Sequence, residues 1–183
     1  MPVVVFDLGH TGRTGGRRGA VNGEHREESI VRRYVCRAAD SLEARGVTVE
    51  IAGAGRYGAR QAAAKSAGAS AYVACHVNAG WKAGAGHGPS VFHQTSALGG
   101  RRLAVCLRDE LAAMAGQCRI WQTSPDDWTI HAHSLIQGTG RIPAVVFEPV
   151  FIDAPHHAEF LDAHDTQIGD ALAAGLLAFL GIR

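Results

Sequence analysis

Val3-Val4-Val5-Phe6-Asp7-Leu8-Gly9-His10 is the stretch of this chain that decides its fold. The run is apolar and rich in β-branched residues, and the glycine-rich segment after it ends it too early for a helix, so it predicts a buried β-strand. The strand delivers His10 at its carboxyl end. Because open α/β sheets bind their ligands at that edge, His10 is the first candidate functional residue.

The composition predicts a single globular domain over residues 1–183. Hydrophobic residues make up 46% of the 183 and charged residues 19%, which suffices for one core. Basic and acidic residues nearly balance at a net charge of +1, so we expect no nucleic-acid partner. Because no apolar run reaches about 18 residues, we also expect no transmembrane segment.

The cysteines and the first residues bear on the compartment. The 4 cysteines stand far apart without a C-x-x-C pair, which predicts free and mostly buried thiols. The chain enters its first strand without a basic and apolar leader, so we expect synthesis without a signal peptide. A mature domain excised from a longer protein would look the same.

Alternating strands and helices predict a three-layer α/β fold. A glycine-rich loop at 11–23 precedes a helix from about residue 24 or 27 to 45, and Gly46 follows where a helix stop is expected. Residues 116–140 show no clear period beyond short segments around 120–121 and 129–130. The other predicted strands are 47–51, 71–76, 90–93 and 144–148, and the other predicted helices are 60–66, 103–114 and 165–180.

Three side chains could converge on one metal ion. The strand at 71–76 ends in His76 as the first ends in His10, and Glu27 faces the apolar side of its helix, where a metal ion would compensate its charge. Two imidazoles and a carboxylate suit a catalytic zinc, which leaves one position open. Helix starts are hard to place, so Glu24 and Glu28 stay open as ligands, and a helix-terminal acid half in water is the alternative for Glu27.

Glu148 closes another strand that should end at the same edge. A metal-assisted hydrolysis needs a base for the attacking water and an acid for the leaving amine, and one glutamate can be both in turn. An acid that merely ends a strand is an equal interpretation of the residues alone. A serine or cysteine nucleophile is disfavoured, because there is no G-x-S-x-G motif and the neighbours Cys75 and His76 point to opposite faces of a strand.

Other histidines and the tryptophans compete for a role. Two groups look like ligand clusters, and we expect both at the surface: His131-x-His133, and His156-His157 with Glu159. Three tryptophans lie in loop-like stretches: Trp81, Trp121 and Trp128. Exposed rings there could stack on sugar or peptide, whereas packing under a loop is the alternative for at least one of them.

Four segments in a fixed order carry a resemblance to a known family. They are Val5–His10 with its Asp-x-Gly-His, Gly19–Gly23 followed by Glu27-Glu28, Cys75–Ala79 around His-x-Asn-Ala, and Ile142–Glu148 with Pro-Ala-x-x-x-Glu. Together they resemble the zinc-dependent N-acetylmuramoyl-L-alanine amidases of the type 3 class, found in bacterial wall-remodelling enzymes and phage endolysins. The resemblance covers nearly the whole chain.

The resemblance implies His10, Glu27 and His76 as ligands of one catalytic zinc ion (Zn2+) and Glu148 as the catalytic acid/base. It implies a twisted mixed sheet of about six strands with helices on both faces. The expected enzyme is a monomer that cleaves the amide between N-acetylmuramic acid and L-alanine in peptidoglycan. Thr11 and Pro149 stand where the family more often has glycine, which affects the expected shape of the groove but not the ligand set.

The missing leader and the lack of a separate wall-binding domain favour a bacteriolytic phage endolysin, made in the host cytoplasm and acting on the wall after release. Two other functions stay open. One is a zinc peptidase or amidohydrolase with the same ligands and another amide substrate. The other is a catalytically silent module that only binds the cell wall.

Overall fold

The computed structural model describes residues 1–10, 19–53, 55–80, 88–94, 98–154 and 157–182. Most of the predicted loop at 11–23 lies outside these residues, as do Trp81 and His156. The strands are β1 (Val3–Leu8), β2 (Val21–Asn22), β3 (His25–Arg26), β4 (Thr48–Ala52), β5 (Ala71–Cys75), β6 (Ser90–Gln94), β7 (Arg119–Thr123) and β8 (Ala144–Glu148). The helices are α1 (Glu27–Glu43), α2 (Tyr57–Ser66), α3 (Leu98–Ala115), α4 (Ile130–Ile136), the 3-10 turn η1 (Gln137–Thr139) and α5 (His157–Leu180).

The central sheet has six strands in the order β4-β1-β5-β8-β6-β7. The pairs β1–β4, β1–β5 and β5–β8 are parallel. β6 runs antiparallel to β8, and β7 pairs with β6 in parallel. Leu8 lies beside Cys75, and Cys75 beside Phe147. The carboxyl ends of β1, β5 and β8 therefore meet at one edge of a mixed sheet, as predicted.

Helices cover both faces of this sheet. On one face α1, α3 and α5 enclose the larger apolar cluster, to which the sheet contributes alternate residues such as Phe6 and Phe147. On the other face α2 and α4 enclose a smaller cluster that includes Tyr72 and Val146. The two clusters confirm the three-layer α/β fold, because alternate side chains of each strand point to opposite layers.

Several element boundaries differ from those predicted. α2 begins at Tyr57 rather than at residue 60, and α5 begins at His157 rather than at residue 165. The predictions followed apolar spacing, and the first turns of α5 mix polar and apolar residues, which leaves this signal weak there. Residues 116–140 contain β7 and α4, which the sequence suggested only as short segments.

The chain-wide expectations are met in part. Among the described helices, none combines the length and the apolar character needed to cross a membrane. All the cysteines are free, as predicted, and Cys75 is buried. The expectation that the thiols are mostly buried is wrong, because Cys106 and Cys118 are partly exposed and Cys36, on the outer side of α1, is exposed.

Candidate active site

His10, Glu27 and His76 come together at the carboxyl edge of the sheet. Each offers one ligand atom, and these atoms all lie within 4.8 Å of one another. Nε2 of His10 is 3.5 Å from Oε2 of Glu27, and Nδ1 of His76 is 3.1 Å from Oε1. Neighbouring parallel strands supply the two histidines, and the first turn of α1 supplies the carboxylate between them.

Backbone donors hold the Glu27 carboxylate in place. Ala20 N–H donates to Oε2 at 2.8 Å and Val77 N–H donates to Oε1 at 3.1 Å. Burial by itself would raise the pKa of Glu27, but the hydrogen bond and positive charge of His76, the Ala20 amide and His10 outweigh it and lower that pKa. The carboxylate is thus kept charged inside the protein.

The other two helix acids lie away from the cluster. Glu24 is exposed, and Glu28 forms an ion pair with Arg32 at 3.6 Å on the outer side of α1. Glu27 keeps only 3% of its surface exposed. Glu27 is therefore the acid that faces inward, and the alternative of a helix-terminal acid half in water is wrong for it.

The backbone packs directly against the cluster. A Cβ on Gly9 would lie 2.7 Å from ring atoms of His76, and a Cβ on Gly19 would lie 2.9 Å from Oε2 of Glu27. The backbone of His10 adopts the left-handed conformation, with φ 59°. Among the described residues, all others with a positive φ are glycines. Such a conformation costs about 1–3 kcal/mol and persists where the surrounding structure holds it. The cluster is preorganised, because glycines allow this close approach.

The donor set fits a divalent metal ion. Nε2 of His76 is buried and has no hydrogen-bond partner among the described residues, an arrangement that is costly without a ligand. The Tyr34 hydroxyl donates to the His76 carbonyl at 3.0 Å and fixes the strand end. Two imidazoles and one carboxylate match the three protein ligands of catalytic zinc sites. The residues present therefore form a possible His-Glu-His metal site.

Glu148 ends β8 beside this cluster. The His76 amide donates to the Phe147 carbonyl at 3.0 Å, which makes His76 and Glu148 neighbours across the strands. Burial, aided by the negative charge of Glu27 and opposed by His76, raises the pKa of Glu148 to about 7. Its side chain still has a partly exposed edge. A carboxyl group that exchanges its proton near neutral pH suits general acid/base catalysis.

The comparison with known families gives this arrangement a context. The profile of a family described as N-acetylmuramoyl-L-alanine amidase matches residues 4–178. The chain belongs to this family. It is therefore an amidohydrolase of bacterial peptidoglycan, as the sequence predicted, and the interpretation as a silent wall-binding module is wrong.

Solved amidase structures share the fold. The catalytic domain of CwlV from Bacillus (Paenibacillus) polymyxa var. colistinus has a TM-score of 0.82 at 19% identity, over 100% of both chains. AmiC2 of Nostoc punctiforme has a TM-score of 0.79 at 21% identity, covering 98% of this chain and 97% of its own. The catalytic domain of the CD27L endolysin targeting Clostridia difficile has a TM-score of 0.74 at 16% identity, covering 97% of this chain and 98% of its own. A search of curated proteins finds no match.

The amidase has a buried ion pair that the sequence did not reveal. Nη1 of Arg60 donates to Oδ1 of Asp7 at 2.5 Å and to the Leu8 carbonyl at 3.2 Å, and the Tyr72 hydroxyl donates to Oδ2 of Asp7 at 2.6 Å. Asp7 is fully buried, with 0% exposure. The pair fixes the end of β1 just before His10. The sequence does show that Asp7 is a charged residue within an apolar strand. No nearby residue or motif identifies Arg60 as its partner.

The residues of the other two histidine clusters lie in different environments. His131 is exposed, as expected, yet its ring lies 6.5 Å from that of His76 and 6.2 Å from that of Tyr57, beside the amidase site. His133 is partly buried, with Nδ1 3.2 Å from the hydroxyl of Thr123, so its expected surface position is wrong. The side chains of His157 and Glu159 lie outside the described part of the chain.

Of the two tryptophans that the structure describes, Trp128 lies where the sequence placed it and Trp121 does not. Trp121 lies on β7 rather than in a loop and is partly buried. Trp128 lies in the turn before α4 and is 67% exposed. The sequence assigned Trp121 to a loop because β7 has only five residues and its neighbours are mixed in polarity.

Proposed function

We propose that His10, Glu27 and His76 hold one catalytic zinc ion and that Glu148 is the acid/base in hydrolysis of the amide between N-acetylmuramic acid and L-alanine. The observation that supports this most is the convergence of the three ligand atoms within 4.8 Å, next to a glutamate whose pKa lies at about 7. The unpartnered Nε2 of the buried His76 adds to it.

In this proposal Glu148 carries out both proton transfers of the reaction. When bound, zinc supplies Lewis-acid polarisation of the scissile carbonyl and lowers the pKa of water toward about 7. Glu148 accepts the proton of the attacking water as the new C–O bond forms. The same carboxyl then gives that proton to the alanine nitrogen as the C–N bond breaks, which releases a free amine and a muramoyl carboxylate.

Product analysis tests the reaction. Purified sacculi are digested with the zinc-loaded protein. The soluble products are identified by mass spectrometry and assayed for new alanine amino groups. We expect stem peptides with free L-alanine ends and glycan strands with intact muramoyl groups. New reducing sugars or new D-amino-acid ends alone would mean that another bond is cut, and release of other amides would favour a peptidase or general amidohydrolase.

Metal content tests the ligand set. We expect Glu27→Ala to lose at least tenfold in zinc affinity, because the carboxylate is the only anionic member of the proposed set. Glu24→Ala is the matched control, since it removes an exposed acid from the segment just before α1. Equal zinc content in both variants, measured by atomic emission after dialysis, would remove Glu27 from the ligand set.

We further propose that the protein is a monomeric, bacteriolytic endolysin that reaches the wall from the host cytoplasm. The fold that it shares with the catalytic domain of the CD27L endolysin supports this. Expression inside bacteria should leave cells intact until the inner membrane is permeabilised, after which turbidity should fall. Intact cells after permeabilisation would contradict the proposal, and a dimer in light scattering would contradict the monomer.

A further inference from the structure

Three aromatic rings form a continuous group at the β6–β7 end of the sheet, here called the aromatic ledge: Phe92, Trp121 and Trp128. The rings of Trp121 and Trp128 meet edge to face with centroids 5.1 Å apart, and those of Phe92 and Trp128 with centroids 6.1 Å apart. Phe92 is buried, but Trp128 is 67% exposed and its neighbour Ile130 is 52% exposed. Large apolar surface left in water next to a catalytic site is typical of an interaction site.

The ledge begins next to the catalytic glutamate. Ser90 is the register partner of Glu148 across the antiparallel β6–β8 pair. Directly opposed residues point to the same face with Cβ atoms about 4.5–5.5 Å apart. The indole N–H of Trp121 donates to the Ser90 hydroxyl at 3.3 Å. One residue therefore links the ring of Trp121 to Glu148.

The ledge also reaches the metal site from a second direction. Trp128 lies just before α4, and His131 in the first turn of that helix is 6.5 Å from His76 between ring centroids. Trp128 and His131 thus lie three residues apart on one short segment, and that segment passes close to His76. Ser90 and His131 therefore connect the ledge to Glu148 and to His76 from two directions.

The charges around the ledge favour one half of the substrate. Asp126 and Asp127 are exposed immediately before Trp128 and would repel the carboxylates of a stem peptide. The guanidinium of Arg119 lies 5.8 Å from the centroid of Trp121 rather than over Trp128. A sugar ring is uncharged, presents an apolar C–H face to an indole and offers hydroxyl groups to aspartate acceptors.

We propose that the aromatic ledge is the glycan subsite of this amidase, with a sugar ring of the peptidoglycan strand stacked on Trp128. The assignment rests on the proposed muramoyl-alanine cleavage. Stacking holds the glycan so that the scissile amide lies at Glu148. Since Trp128 exchanges no proton with the substrate, its contribution is to binding rather than to the chemical step.

Steady-state kinetics on a soluble disaccharide-peptide test this with the zinc-loaded chain. Trp128→Ala should raise KM by about tenfold, the scale of one lost stacking contact, and leave kcat within about twofold. Trp128→Phe should recover most of that loss, because it keeps an aromatic face. The matched control Ile51→Ala, which truncates an exposed apolar residue on β4 at the far side of the sheet, should behave as the parent protein.

Binding measurements then separate the two halves of the substrate. The inactive Glu148→Gln protein and its Trp128→Ala derivative are titrated with the disaccharide N-acetylglucosaminyl-N-acetylmuramic acid, its lactyl carboxyl group capped as an amide as in the substrate. They are titrated separately with the free stem peptide, and ligand-detected NMR follows binding. We expect Trp128→Ala to weaken disaccharide binding by about tenfold and to leave stem-peptide binding unchanged. Loss of stem-peptide binding alone would make the ledge a peptide subsite.

The outcomes also distinguish this proposal from the one on which it rests. If the unsubstituted protein releases no alanine amino groups from sacculi, the cleavage itself is wrong. If it releases them and Trp128→Ala has an unchanged KM with an unchanged melting temperature, the ledge is not a subsite. Because Trp128 is mostly exposed, we expect its variants to fold, and the melting temperature checks this.

Discussion

Asp7 and Glu148 are acids on the same face of the same sheet, and their surroundings differ. Asp7, two residues from the end of β1, is fully buried and receives hydrogen bonds from Arg60 and Tyr72. Among the described residues, none forms a hydrogen bond or ion pair with the Glu148 carboxylate, and burial raises its pKa to about 7. Because Asp7 has fixed hydrogen-bond partners, its role is structural. Because Glu148 has none among the described residues, its carboxyl group is free to exchange a proton.

The largest expected effect is on turnover. Glu148→Gln should lower kcat by about 10²–10⁴-fold, the usual contribution of a general acid/base, because the amide cannot take the proton of water. Initial rates of alanine amine release from sacculi measure this, at equal zinc content. A variant that keeps a tenth or more of the parent rate would show that another group moves the proton.

Asp7→Asn should have the largest effect on stability. Removal of the carboxylate leaves the buried Arg60 guanidinium without its counter-charge, and breaking a buried pair in this way costs about 3–5 kcal/mol. The free energy of unfolding in urea measures it. Asp7→Asn combined with Arg60→Met should recover part of the loss. A cost below about 1 kcal/mol for the single variant would mean that water reaches Arg60.

Glu148→Gln should raise the free energy of unfolding of the metal-free protein, whereas Asp7→Asn should lower it. The folded carboxyl keeps its proton up to about pH 7, whereas the unfolded chain releases it near about pH 4.3. Between these values the folded state binds more protons, so stability falls as pH rises. The variant should gain about 1–3 kcal/mol at pH 8, discounted for the partly exposed edge, and nothing below about pH 4. A gain independent of pH would contradict this.

The smallest effect on stability is expected at an exposed arginine–aspartate ion pair, the counterpart of the buried pair of Arg60 and Asp7. Nε of Arg37 lies 2.7 Å from Asp170 between α1 and α5, and both side chains are about half exposed. Solvent screens such pairs, so Asp170→Asn should shift the melting temperature by less than about 2 °C. A loss comparable to that of Asp7→Asn, seen by calorimetry at the same pH, would show that burial is not what separates the two pairs.

The sequence predicted the site better than its surroundings. β1, β5 and β8 are inner strands, covered on both faces, so each is a nearly continuous apolar run that ends where the candidate residue stands. The direction of Glu27 followed from the apolar face of α1. These signals are local, because each depends on a few adjacent residues or on one helical period.

The remaining features depend on contacts between distant parts of the chain. β7 lies at the sheet edge, where partly exposed residues alternate weakly, and α4 has only seven residues. The pairing of Asp7 with Arg60 and the link from Trp121 through Ser90 to Glu148 join residues from different elements. No period or motif carries such information, so the sequence could name Trp121 and Trp128 but not their place beside the site.

The strand order has a consequence for the assembly of the enzyme during translation. β8 is the last strand to be synthesised, yet it lies in the middle of the sheet between β5 and β6. Until residue 148 leaves the ribosome, the sheet is two unconnected halves with open inner edges, which are slow to pair and prone to wrong contacts. The strand that joins the halves also carries Glu148. The chain therefore acquires its proposed proton-transfer group in the same step that closes its sheet, and we expect no shorter nascent chain to be an active hydrolase.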